Sequence, residues 1–194
     1  MAIPLLEGCD IAGKDITGDA LLTQRALATY LVEQQAHYHF TVKGNQPTLE
    51  RDIRLLFDQR DAADFVEVAP ADHGRIETRS IGCSTALNAY LDFPYVGQVF
   101  LIERECIQKK TGKHTREIAL GITSRTVQEA TPQRILGSTA GIGASNGPRP
   151  ATAFITSVAG LGPSTGTTTR IAAASVPDSG QKTSPACAAS RSAP

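Results

Sequence analysis

Asp19 is the residue in this chain best placed to do chemistry. It ends the extended stretch Asp15-Ile16-Thr17-Gly18 and precedes a helical run that begins at Ala20. A carboxylate at a strand's carboxyl end and a helix's amino end sits where open α/β sheets expose reactive groups. The same placement is that of an ordinary helix N-cap, and Asp19 alone does not separate the two readings. The turn Lys43-Gly44-Asn45-Gln46 offers one cation and two amides, a set that suits a phosphate or a base edge. Standing alone, it is also simply a turn. Arg75, Glu77 and Arg79 alternate along one strand face, where the arginines could meet phosphates or pair with neighbouring strands. Lys109, Lys110 and Lys113 crowd a second turn. His37 and His39 share a strand face, but no further ligand type follows at metal-binding spacing, so no metal site is expected there.

The elements that must position these residues are legible as periods. Leu27, Tyr30 and Leu31 form an apolar stripe, which predicts one helix from Ala20 to about Gln35. His37 to Lys43 alternates with period two and is rich in β-formers, which predicts a strand parallel to the one before Asp19, reached through that helix. Pro47 suits a first helical position, and Leu49, Ile53, Leu56 and Phe57 mark a second amphipathic helix to about Gln59. Phe65 to Val68 and Gly74 to Ile81 then alternate as strands, and Ala86 to Phe93 reads as a short helix or turn. Val96 to Ile107 and Arg116 to Ser124 flank the lysine-rich turn, the pattern of a β-hairpin with a basic tip. Thr131 and Pro132 have the types that cap and open a helix, but the sequence after Leu136 does not continue one, so only an opening turn is expected.

Composition bounds the partners. The chain has 19 basic and 19 acidic residues, so no whole-chain charge demands a nucleic acid or a membrane, although a local basic patch would suffice for DNA. Cys9, Cys83, Cys106 and Cys187 are scattered without a CxxC pair, and no secretory leader or membrane-length apolar run is present. A cytoplasmic protein with reduced thiols and no membrane partner is the expectation.

The chain divides near residue 136. From Gly137 to Pro194, 43 of 58 residues are Gly, Pro, Ala, Ser or Thr, too few large apolar side chains to offset the entropy of ordering. Residues 137–194 are therefore expected to be a disordered tail after one α/β unit at 1–136.

Several ordered motifs carry a resemblance. Ile16-Thr17-Gly18-Asp19-Ala20-Leu21-Leu22-Thr23-Gln24, then Tyr38 to Val42, Lys43-Gly44-Asn45-Gln46-Pro47-Thr48-Leu49 and His73-Gly74-Arg75-Ile76-Glu77-Thr78-Arg79 resemble DDE-type transposases of bacterial insertion sequences, in the branch called the ISAs family. The resemblance covers about Pro4 to Leu136. It implies a partial ribonuclease H-like fold, a mixed sheet flanked by helices with a β-rich insertion. It also implies three carboxylates holding two divalent ions, usually Mg2+, for in-line attack on a phosphodiester. Asp19 would be the second of those acids and a metal ligand. Lys43, Asn45 and Gln46 would be the family's signature turn, with Glu77 and Arg79 in its later charged motif. DNA at the transposon ends would be the partner, and an intact transposase a further one.

The resemblance places the first acid upstream of Met1 and the third after Leu136, in a segment like Asp-Trp-x-x-x-Glu-Asp-Arg-Ser-Arg that the tail lacks. Rebuilding each codon from the third base of one residue and the first two of the next allows Ser164 to Thr183 to encode such a segment. Gly137 to Gly143 likewise can encode Ile-Asn-Arg-Gly-His-Trp. A frameshift near Leu136 is the expectation that follows. On this reading the chain is a transposase fragment with one of three catalytic acids, inactive alone. The alternatives are a protein that still binds DNA through Lys43, Asn45, Gln46, Arg75, Arg79, Lys109, Lys110 and Lys113, or a small cytoplasmic α/β protein of other function.

Overall fold

A computed structural model describes residues 2–60, 62–72, 74–139, 155–159 and 169–171. In chain order the elements are α1 (Ile3–Leu6), β1 (Asp15–Gly18), a 3-10 turn (Ala20–Leu22), α2 (Arg25–Glu33), β2 (His37–Val42) and α3 (Pro47–Asp58). Then come β3 (Phe65–Asp72), β4 (Arg75–Ser84), β5 (Gln98–Gln108), β6 (His114–Thr123), α4 (Pro132–Ser138), β7 (Ile155–Ala159) and β8 (Thr169–Ile171). All strands join one mixed sheet in the order β3-β4-β5-β6-β2-β1-β7-β8. No described helix is long and apolar enough to cross a membrane.

β1 and β2 are parallel, with Gly18 opposite Phe40, and α2 makes the crossover that a parallel pair requires. Every residue of β1 is buried. The expected single helix from Ala20 to Gln35 is instead two pieces. Thr23 is buried, and its hydroxyl donates to the carbonyls of Asp19 and Thr41, which holds residues 23 and 24 out of helical geometry. The helix then restarts at Arg25, and Gln35 at φ 58° ends it in the left-handed region.

α3 buries Leu49, Ile53 and Phe57, three of the four residues of its predicted stripe. With Leu27, Ala28 and Leu31 of α2 they cover one face of the sheet, against Ile16, Tyr38, Phe40, Val99, Leu120 and Ile122. The opposite face has a smaller apolar cluster where Ile135 and Leu136 of α4 meet Ile81, Phe100 and Ile102. Gly121 makes that packing possible, because a Cβ there would lie 2.2 Å from the Phe100 ring and 2.7 Å from the Phe40 carbonyl. Thr131 caps α4 as its type suggests, accepting from the Arg134 amide. Residues 86–90 form turns and no helix.

β3 to β6 are successive antiparallel strands. β6 joins this group to β2, with Val42 opposite Leu120, and then continues as far as His114 past the end of β2. The four strands thus project as a blade beyond the carboxyl ends of β1 and β2.

The tail differs from the expectation drawn from its composition. Ile155–Ala159 pairs antiparallel with β1, and Thr169–Ile171 pairs with it in turn. The unpaired edge of β1 is a template for any strand with β-branched residues, and Ile-Thr-Ser-Val-Ala supplies one. The remainder of the tail after residue 139, and the disorder expected for it, lie outside the described residues. So does Cys187, whereas Cys83 and Cys106 form no disulfide among the described residues.

Candidate nucleic-acid interface

β1 ends where the chain is most crowded. A Cβ on Gly18 would stand 2.9 Å from the Phe40 ring and 3.1 Å from Leu22 Cβ, so the strand leaves through a glycine. Asp19 follows in extended geometry and caps the 3-10 turn, its Oδ1 accepting from the Leu21 amide at 3.1 Å. The ordinary N-cap reading therefore has its geometry. Only Oδ1 is engaged among the described residues, so the cap and a reactive role are compatible at this half-buried carboxylate.

The Lys43 turn lies at the end of β2, beside Asp19. Its two amides bond to the neighbouring loop, Asn45 remaining exposed and Gln46 half-buried. Asn45 Nδ2 donates to the Ala20 carbonyl, and Gln46 Nε2 donates to the Thr23 carbonyl at 3.1 Å. Both donors thus hold the loop that carries Asp19. The physical reason is proximity: parallel β1 and β2 bring the two turns side by side, and the loop's carbonyls need donors. Lys43 is exposed at the same edge.

Arg79 turns inward. Its face of β4 is covered by α4, where Arg79 donates to the Leu136 carbonyl at 3.0 Å and stands 3.6 Å from Glu67. Burial lowers its pKa, with Arg104 nearby adding to the shift. Glu77 pairs with Arg104 at 3.1 Å. Both residues knit the blade. Arg75, Lys109, Lys110 and Lys113 have the opposite placement, all exposed at the blade's far end. The Lys109 amide donates to the Gly74 carbonyl at 2.9 Å, which brings the two turns together.

A buried ionic cluster went unnoticed in the sequence. Asp15, 3% exposed at the start of β1, accepts from Arg125 Nε at 2.7 Å and from Arg134 Nη2 at 3.2 Å. His39 Nε2 stands 3.6 Å from the same carboxylate, beyond ordinary hydrogen-bond reach. Burial opposes ionisation of Asp15, but His39 and the hydrogen-bonded Arg125 outweigh it and hold the carboxyl well below its usual range. Arg125 Nη2 and both ring nitrogens of His39 are buried without hydrogen-bond partners. Beside them His37 Nδ1 meets Ser124 Oγ at 3.2 Å, and burial lowers the His37 pKa. The cluster occupies the end of the sheet opposite Asp19, and its visible job is to tie β1 to the exit of β6 and to α4.

The described residues do not make a site for magnesium. No three His, Cys, Asp or Glu side chains among them are grouped closely enough to hold a metal ion, and a hard divalent ion needs several oxygen ligands. Asp19 is one carboxylate, and the chemistry of two ions needs more.

Three curated proteins bear a similarity to the chain. It is 33% identical over 130 residues to an uncharacterized protein encoded in the dhlA 3' region of Xanthobacter autotrophicus, a match over 64% of this chain and 44% of that protein. It is 37% identical over 83 residues to the H repeat-associated putative transposase YbfD of Escherichia coli K12, over 40% of this chain and 33% of that protein. The putative protein YbfL of the same organism is also 37% identical over 83 residues, over 40% of this chain and 22% of that protein. The chain spans less than half the length of each of these relatives. No family model matches it, and no solved structure does.

Proposed function

We propose that this chain is part of a DDE-type transposase, of the ISAs branch and with a ribonuclease H-like fold, that works in DNA transposition. Asp19 is one of its catalytic acids. The reading rests on one observation: a carboxylate stands at the carboxyl end of a strand, on a loop braced by Asn45 and Gln46, in a chain similar to a putative transposase. DNA lies along the edge that runs from Lys43 to the blade tip. Asp19 alone offers too few ligands for two magnesium ions, so the chain by itself binds DNA without cutting it. The tail after Leu136 is an out-of-frame reading, and the missing acidic segment lies in the offset frame.

Two experiments test this. Purified chain is incubated with magnesium and supercoiled plasmid carrying insertion-sequence ends. No nicking above the level of Asp19→Asn is expected, and nicking that depends on Asp19 would refute the claim of inactivity. Reading the coding DNA through the tail tests the frame: an offset frame broken by stop codons would remove that part of the proposal. A second reading, DNA binding as the whole function, is favoured by the exposed cations of the blade tip, and a gel shift together with an offset frame that lacks the acidic segment is its signature.

A further inference from the structure

We infer that the blade β3 to β6 is a spacer that grips a DNA duplex at a set distance from Asp19, about seven base pairs along the helix. The inference rests on the DNA reading above and adds to it a distance and a division of labour between the two ends of the blade.

The strand register supplies the distance. Gly18 lies level with Phe40 and Ile122, so Asp19 lies level with Gly121. From Gly121 to His114, β6 advances seven residues, about 24 Å at roughly 3.4 Å per residue. Two strand spacings separate β1 from β6 sideways, about 10 Å more, which puts the tip about 25 Å from Asp19. A duplex rises about 3.4 Å per base pair, so this span is about seven pairs.

Charge is distributed to match. Along the middle of the blade the cations and acids face each other: Arg79 with Glu67 at 3.6 Å, Arg104 with Glu77 at 3.1 Å, and Arg116 with Glu103, while Glu105 stands 3.7 Å from the His114 ring. Glu117 lies in register opposite Arg104. At the tip this pairing ends. Arg75, Lys109, Lys110 and Lys113 are exposed and make no ion pair among the described residues. The middle of the blade carries three arginines against five glutamates and is net acidic, and the unbalanced positive charge is at its far end.

The tip is also held in shape. The Gln108 amide donates to the Lys113 carbonyl at 2.9 Å, and the Gly112 amide donates to the Gln108 carbonyl at 2.8 Å. Gly112 has φ 64°, where a side chain would be strained. With Lys109 bonded to Gly74 from the neighbouring turn, four cations stand on two joined turns. A cationic cluster fixed on a rigid arm engages phosphates at one place along a duplex, and bases do not enter the contact.

The test measures the affinity of the full chain for duplexes of 5 to 20 base pairs at several salt concentrations. Affinity should step upward once the duplex exceeds about seven pairs. Lys109→Ala/Lys110→Ala/Lys113→Ala should remove the step and lower the salt slope by about three. Over a fourfold rise in salt the unaltered chain then loses about 40-fold more affinity than the variant. In the unaltered chain, acetylation of these three lysines should be blocked by a 16-pair duplex, which tests the contact even if the variant fails to fold. No binding at any length or salt would overturn the DNA reading itself. Binding with an unchanged slope in the variant, no step near seven pairs, or lysines that stay reactive on the long duplex would overturn the spacer alone.

Discussion

Replacing Asp15 with asparagine should destabilise the protein more than any substitution among the exposed cations Lys43, Lys109, Lys110 and Lys113. The carboxylate is 3% exposed and neutralises Arg125, whose side chain is 5% exposed, at 2.7 Å. Removing one partner of such a pair leaves an uncompensated buried charge, a loss of about 3 to 5 kcal/mol. Arg134 adds less, because its side chain is 36% exposed and water screens it, so Arg134→Ala should cost about 1 kcal/mol or less. Asparagine keeps the shape and one acceptor, which places Asp15→Asn near the lower end, about 3 kcal/mol. With a urea m-value of about 2 kcal/mol per molar, the unfolding midpoint should fall by about 1.5 M. The pH dependence gives an independent check. Since the folded protein holds Asp15 below its unfolded pKa of about 3.9, the stabilisation is complete above that pH and is lost as the pH falls towards the depressed value. The stability difference between the two proteins should be constant from pH 5 to 7 and shrink below pH 4. A midpoint change under about 0.3 M, or a difference that does not shrink in acid, would refute the view that this cluster is an ionic tie.

Three further outcomes follow from the packing. Gly121→Ala places a methyl group against the Phe100 ring and the Phe40 carbonyl, and should cost about 1 to 3 kcal/mol in the same urea experiment. The Cys83 thiol, pushed up to about 12 by burial with the Asp64 carboxylate adding to the shift, should resist alkylation by iodoacetamide at pH 8, read by mass spectrometry. Asn45→Ala removes the donor to the Ala20 carbonyl and should speed amide hydrogen exchange at Leu21 to Thr23 while leaving α3 protected.

What was legible in the sequence is what local chemistry decides. The stripe of Leu49, Ile53 and Phe57, the alternation of His37 to Val42, the Thr131 cap and the hairpin about Lys109 to Lys113 all match their elements. Each depends on a period or a cap a few residues long. Asp19 was legible to the same extent, as a carboxylate between a strand and a helical turn.

The tertiary structure decided which residues those elements face. Asp15 meets Arg125 and Arg134 across 110 and 119 residues, a separation at which sequence spacing carries no information. Arg79 could face phosphates on an open strand, and α4 turns it into an anchor. Asn45 and Gln46 brace the Asp19 loop because two parallel strands bring their turns together. The buried Thr23 interrupts a helix that its propensity would continue. β7 joins the sheet because β1 has an edge to pair. Periodicity reports which side of an element is buried, whereas the partner on that side comes from whichever distant segment packs there.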